Sequence, residues 1–222
     1  MDSLLQRILV ASAHSQVRST TYNTPCGDMA RGGVFTCREH CMKANLLSAA
    51  TSGSFSVAAG RLSFVYGFKG PAVSMDTACS SALVSTHIGA MQLQTAPQVA
   101  SLAAGVNLLL SENTFAATQA AGMLTVDGRC KTLDTGADGY VRAEACTAFL
   151  LTSKVQALDI DGVCLRGSFT NQDGRSSSLT APNGPSQQAV IRGALDAAAC
   201  PPSDVCGLEM HGTGQLLDRH LL

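Results

Sequence analysis

Residues 70–84 read G-P-A-V-S-M-D-T-A-C-S-S-A-L-V, and the fold is decided in this stretch. The Gly-Pro pair at 70–71 interrupts whatever precedes it. The run at 72–76 predicts a short strand, and small residues from 77 onward lead into an apolar helix over about 80–93. Cys79 therefore falls at a strand-to-helix junction, at the first turn of the helix. Unpaired backbone N–H groups and the positive end of the helix dipole meet there, and both favour a thiolate over a thiol. A thiolate is a nucleophile, and the same N–H groups can receive the oxyanion formed when a thioester carbonyl is attacked. Ala78, Ser80 and Ser81 flank the cysteine and are small enough to let a substrate approach. By position alone Cys79 reads as such a nucleophile or as one more packing thiol, the commoner use of cysteine in a chain with nine.

Working outward, residues 55–68 have helical spacing and end at G-F-K-G-P, 67–71. Downstream, 103–110 predicts a strand buried on both faces, since its apolar residues do not alternate with polar ones. Strands follow at 145–152 and 163–170, a helix at 186–199 with Pro185 at its start, and a short strand at 205–210. Upstream, 2–17 has helical spacing, 19–36 looks like loop, and 38–50 suggests a short helix. Strands alternating with helices predict an α/β domain with a mainly parallel sheet and helices on its faces.

Composition narrows the function. Of 222 residues, 45% are hydrophobic and 14% charged, so the chain should pack rather than stay disordered. Fifteen basic residues against 16 acidic ones provide no charge excess to attract nucleic acid or acidic lipid. No apolar run reaches the roughly 18 residues of a membrane span. Asp2 and Arg7 make a poor secretory signal. The expected location is the cytoplasm, or an organelle stroma had a transit segment been lost. The nine cysteines, odd in number and scattered, read as reduced thiols. C-R-E-H-C at 37–41 admits a zinc site but lacks a second ligand cluster, so no metal is expected. Asp134, Asp138 and Asp173 lie close to glycines and read as turn-stabilising. G-A-D-G at 136–139 lacks the strand–loop–helix context of a phosphate cradle.

The 70–84 string closely resembles the active-site segment of β-ketoacyl synthases, which in their modular polyketide branch reads G-P-x-V-x-V-D-T-A-C-S-S-S-L-V. Further blocks resemble the family in its own order: A-G-R-L-S at 59–63, G-V-N-L-L-L-S at 105–111 and A-G-M-L-T-V-D-G-R-C-K-T-L-D at 121–134. A-D-G-Y-V-R at 137–142, N-Q-D-G-R at 171–175, L-T-A-P-N-G-P-S-Q-Q at 179–188 and M-H-G-T-G at 210–214 continue the series. The resemblance divides the chain into a weakly matched part at 1–53, a ketosynthase core at 54–214 and an irregular tail at 215–222.

It implies a thiolase-like, layered αβαβα fold of two pseudo-repeated halves, here mostly the N-terminal one. It makes Cys79 the residue that accepts an acyl chain from acyl carrier protein and lends its own N–H to the oxyanion hole. The enolate from decarboxylation of a malonyl-type thioester on a second carrier protein then attacks the acyl-cysteine. His211 takes the place of the histidine in the family's H-G-T-G-T block, where a neutral imidazole donates a hydrogen bond to the extender carbonyl. Without the family, a lone histidine after a short strand is more often structural. Gly212 and Gly214 would let the backbone turn tightly beside it, and Glu209 would orient the surroundings rather than catalyse. No cofactor is bound in such enzymes, because the phosphopantetheine arm belongs to the carrier protein. The partners implied are acyl carrier protein, its acyl and malonyl-type thioesters, and a second copy in a homodimer.

The sequence also departs from the family pattern. R-A-E-A-C at 142–146 replaces R-G-E-G-C, and if Ala143 or Ala145 needed a positive φ each would cost about 1 kcal/mol. Q-L-L-D-R-H-L-L at 215–222 replaces T-x-L-G-D-P. The family's opening G-M-x-x-R-x-P strand, its second catalytic histidine in an N-x-G-H block and its lysine are not found; Lys131, Lys154 and His220 do not match them. The expectation is therefore a partial ketosynthase with exposed apolar patches and marginal stability, impaired in condensation even where Cys79 is acylated. Two alternatives stand beside it. One is an incompetent remnant that binds carrier protein or a synthase subunit; the other is an unrelated Cys–His thioester hydrolase or acyltransferase.

Overall fold

The computed structural model describes residues 7–13, 18–22, 55–95, 100–152, 163–176 and 183–214, the first two segments as backbone. In chain order the elements are β1 (Arg7–Ala13), β2 (Arg18–Tyr22), α1 (Phe55–Tyr66), β3 (Ala72–Asp76), α2 (Ser81–Thr95) and β4 (Ala100–Asn107). They continue with α3 (Glu112–Ala120), β5 (Ala145–Thr152), β6 (Cys164–Asn171) and α4 (Gly184–Ala197). Single 3₁₀ turns occupy Ala78–Ser80 and Pro202–Asp204.

Two sheets form, one of order β3-β2-β4-β5 and one of β1 paired with β6. Alternation of side chains along two strands fixes the layers. On β4, Leu102 packs with Ala59 and Leu62 of α1. Three residues on, and so on the opposite face, a Cβ at Gly105 would lie 2.7 Å from the Ala82 Cβ of α2. On β6, Ser168 Oγ hydrogen-bonds His87 Nδ1 of α2 at 2.8 Å. Its neighbours Gly167 and Phe169 face the other way, against Ala194, Ala198 and Gly193 on and just after α4. The order of layers is α1, four-stranded sheet, α2, two-stranded sheet, α4. This is the αβαβα arrangement expected, with the helix that follows Cys79 as its middle layer.

Small residues allow the layers to approach this closely. Ala103 and Ala194 are fully buried, and a Cβ at Gly167 would sit 2.5 Å from the carbonyl oxygen of Ala194. Larger apolar side chains stay outside: Phe64 is 87% exposed and Leu150, on β5, 68%, which meets the expectation of exposed apolar surface. Among the described residues no helix is long and apolar enough to cross a membrane.

Several expectations are corrected. The larger sheet is antiparallel at every described pairing, not mainly parallel. β3, α2 and β4 do form a crossover in which both strands run the same way, as the alternation implied. β2 lies between them and runs in the opposite direction, pairing with both. Its sequence, R-S-T-T-Y, has no apolar alternation to announce it, so its residues read as loop. Residues 7–13 form a strand rather than part of a helix, because the contiguous apolar run I-L-V-A suits either period and pairing with β6 decides for the strand. Residues 205–210 join no ladder among the described residues; their pattern marks a strand without supplying an edge to pair with. Helix α3 has little amphipathic pattern and no sequence signal announces it; Ser111 Oγ caps it by accepting from Asn113 N at 3.3 Å. The short helix at 38–50, the C-R-E-H-C cluster at 37–41 and the tail at 215–222 lie outside the described residues. Among the described residues no group of three or more His, Cys, Asp or Glu side chains could hold a metal.

Candidate active site

The chain leaves β3 at Asp76 and turns sharply at Ala78, whose φ of 55° is left-handed although the residue is not glycine. Such a backbone costs about 1–2 kcal/mol and persists only where neighbours enforce it. Three hydroxyls do so here. Ser80 Oγ donates to Thr77 O at 2.6 Å and lies 3.0 Å from Thr77 Oγ1. Ser81 Oγ donates to Ala78 O at 2.7 Å and accepts from Thr77 N at 3.3 Å. Ser80 and Ser81 are buried within the turn. The expectation that they merely leave room for a substrate is corrected: they brace the elbow, and Ala78 and Cys79 form its exposed tip. Sequence reading passes over Thr77 entirely, although hydroxyls at positions i, i+3 and i+4 around a turn are the signal for such bracing.

Partial burial of the sulfur raises the pKa of the Cys79 thiol against the backbone N–H groups of Cys79 and Ser80, which lower it; the net direction is upward although the residue as a whole is exposed. On attack the negative charge would develop on the acyl carbonyl oxygen, and backbone N–H groups at a helix start are the donors suited to receive it.

Beyond the elbow, residues 123–140 form a tight loop. Tyr140 N donates to Met123 O at 3.0 Å and Thr125 N to Tyr140 O at 3.1 Å. A Cβ at Gly139, whose φ is 145°, would lie 2.6 Å from Met123 O. Lys131 Nζ binds Asp138 Oδ1 at 2.7 Å and Asp127 Oδ2 at 3.4 Å. Thr125 Oγ1 donates to both carboxylates, at 2.9 and 2.8 Å. Tyr140 is half-buried, and its hydroxyl is held above its usual pKa first by burial and then by negative charge at Cys79 whenever that thiol ionises.

The same loop seats the His211 segment. Thr132 Oγ1 donates to Gly212 O. Gly214 has a positive φ of 67°, and a Cβ there would overlap the Cys130 carbonyl and come 3.2 Å from Gly139 O. The structure thus seats the His211 segment, with His211 itself exposed, on the 123–140 loop at Thr132, Cys130 and Gly139. Both glycines beside His211 have the left-handed conformation the sequence suggested.

The three aspartates diverge. Asp134 does stabilise a turn, accepting from Gly136 N at 2.6 Å. Asp138 instead holds Lys131 and Thr125, which its neighbouring glycine could not reveal. At 173 the turn is made by Gln172 Oε1, which accepts from Gly174 N at 2.7 Å, while Asp173 is buried. Neither Ala143 nor Ala145 has a positive φ, so the substitution of alanine for glycine there carries no backbone strain. Glu209 is exposed.

Residues 25–157 match the family described as β-ketoacyl synthase, N-terminal domain, and residues 162–219 match β-ketoacyl synthase, C-terminal domain. The chain belongs to the β-ketoacyl synthase family. This ketosynthase chain is 46% identical over 171 residues to the polyketide synthase GfsA of Streptomyces halstedii, covering 75% of the chain and 2% of that protein. It is 37% identical over 220 residues to a mycocerosic acid synthase-like polyketide synthase of Mycolicibacterium smegmatis, covering 94% of the chain and 10% of that protein. The ketosynthase from module 6 of the bacillaene synthase of Bacillus subtilis superposes with a TM-score of 0.71 at 34% identity, over 81% of this chain and 32% of that one. The chain thus spans a small part of its polyketide synthase relatives and about a third of a solved ketosynthase.

Proposed function

We propose that this ketosynthase chain performs the acyl-loading chemistry of a polyketide-type condensing enzyme, with Cys79 as acceptor. Cys79 Sγ attacks the carbonyl of an acyl thioester on the phosphopantetheine arm of acyl carrier protein. The new sulfur–acyl bond forms, the carrier thioester bond breaks, and the cysteine proton leaves with the carrier thiol. A malonyl-type thioester then loses carbon dioxide to give an enolate whose oxygen accepts a hydrogen bond from His211; the enolate carbon bonds to the acyl carbonyl carbon, the sulfur–acyl bond breaks, and the released Cys79 sulfur takes up a proton. The observation that carries this reading is the braced elbow, which holds Cys79 exposed at a strand-to-helix turn. The reacting arm belongs to the carrier protein, so the chain needs no cofactor of its own. Acyl carrier protein and a second copy of the chain are its partners. The location that goes with this reading is the cytoplasm.

The test is incubation with a short acyl thioester, followed by intact-mass analysis and assay of free acid. The expected result is one stable acyl adduct, absent in Cys79→Ala. Steady release of acid without an adduct would favour a Cys–His hydrolase, and neither product on folded protein would favour a carrier-binding remnant.

A further inference from the structure

Thr132 belongs to the site without touching the nucleophile. Its hydroxyl donates to the carbonyl of Gly212, the residue after His211. Its Cγ2 and Oγ1 each lie 3.3 Å from where a Gly212 Cβ would be, so the Thr132 side chain packs closely on the Gly212 backbone, which has a left-handed φ of 59°. Thr132 also sits between two strained residues, Lys131 at φ 41° and Leu133 at φ 63°. Two left-handed non-glycine residues in three positions cost roughly 1–3 kcal/mol each, so the conformation must be enforced. Lys131 is held by Asp127 and Asp138 through its ammonium, and its carbonyl accepts from Asp134 N at 3.0 Å. What this enforced loop offers to the rest of the molecule is the Thr132 hydroxyl, directed at the histidine segment. Gly214 docks on the same loop at Cys130 and Gly139, next to Tyr140.

We infer that Thr132 is a positioning residue for His211, whose hydrogen bond to the Gly212 carbonyl holds the histidine segment in register with the Cys79 elbow. The inference rests on the reading of His211 as a site residue. It gives the strained loop a role: the strain is held so that a hydroxyl on one segment fixes the backbone of another, as pre-organised sites require. Serine keeps the hydroxyl, whereas valine keeps the shape and removes the donor.

The full chain with Thr132→Val and Thr132→Ser tests this through the His211 imidazole proton resonance, assigned by its loss in His211→Gln. Amide exchange at residues 210–214 is measured in parallel. In Thr132→Val the His211 resonance should move and exchange at 210–214 should speed up about two- to tenfold, the range of one net hydrogen bond. Exchange in α2 should stay unchanged, and Thr132→Ser should restore the wild-type spectrum. The inference is overturned if valine leaves the His211 resonance in place. It is equally overturned if serine behaves like valine, or if exchange rises throughout the chain, since Thr132 would then support the fold at large. Failure of wild-type protein to take an acyl group would count against the proposed function alone, because the resonance reports on Thr132 in either case.

Discussion

Gly105→Ala should loosen the seat of the Cys79 elbow, and Ala82→Gly should restore it. Gly105 faces α2 from β4, and its backbone would tolerate alanine, since its φ is not in the left-handed region. A Cβ there would lie 2.7 Å from the Ala82 Cβ, against 3.4–4 Å for ordinary contact, so helix and strand must separate by about 1 Å. Ala82 is in the first turn of α2, three residues after Cys79. Overpacking of this kind costs about 1–3 kcal/mol, and the smaller unfolded-state entropy of alanine returns about 0.5–1, leaving roughly 1–2 kcal/mol lost. Ala82→Gly alone should cost about 1 kcal/mol in helix propensity. The double variant removes the clash and should lose no more than about 1 kcal/mol, giving a favourable coupling of about 1–2 kcal/mol. Urea unfolding of the four proteins measures this, with Cys79 alkylation as the local probe: slowed or speeded in Gly105→Ala, and back to wild type in the pair. Additivity within about 0.5 kcal/mol would refute the contact and, with it, the account of how α2 is seated.

Three further outcomes are expected. Because burial outweighs the two backbone N–H groups, Cys79 alkylation should keep rising with pH beyond the range of an ordinary thiol; a plateau at neutral pH, mapped to the Cys79 peptide, would contradict this. Burial lowers the pKa of His87, so the unfolded chain binds its proton at a higher pH than the folded one. Stability should therefore be intact above about pH 6.5 and fall as pH drops through the depressed folded value. His87→Gln should remove that part of the pH dependence in denaturation midpoints. Gly139→Ala places a Cβ 2.6 Å from Met123 O at a φ of 145°, and should cost about 2–4 kcal/mol by calorimetry or urea melting; a neutral result would show that the loop crossing is looser than described.

The strand–elbow–helix unit is legible because its signals are local. A Gly-Pro break, a five-residue apolar strand and small residues at the turn put Ala72–Asp76 in place to the residue and α2 to within two. The same holds for β5 and for α4, whose start is marked by Asn183 and Pro185. What fails is non-local. Nothing in R-S-T-T-Y says that β2 will slip between two strands already joined by a helix, and nothing in V-C-G-L-E-M says that no edge will receive it. At the proposed site, the blocks single out Cys79 and His211, but the contacts around each of them are not legible. Tyr140, Thr132 and the bracing by Thr77, Ser80 and Ser81 depend on the loop's left-handed turns at Lys131 and Leu133 and on the strained Ala78. Neither a non-glycine residue at positive φ nor the contest between burial and backbone donors at a sulfur has a signature in sequence.

The central claim, that Cys79 receives acyl groups from a carrier protein, is tested most directly with acyl carrier protein bearing an isotopically labelled acyl chain. The label should move to the Cys79 peptide, one group per chain, with free carrier thiol appearing in equal amount, and Cys79→Ala should take up none. Label that stays on the carrier, or that reaches another residue and survives Cys79→Ala, would contradict the account.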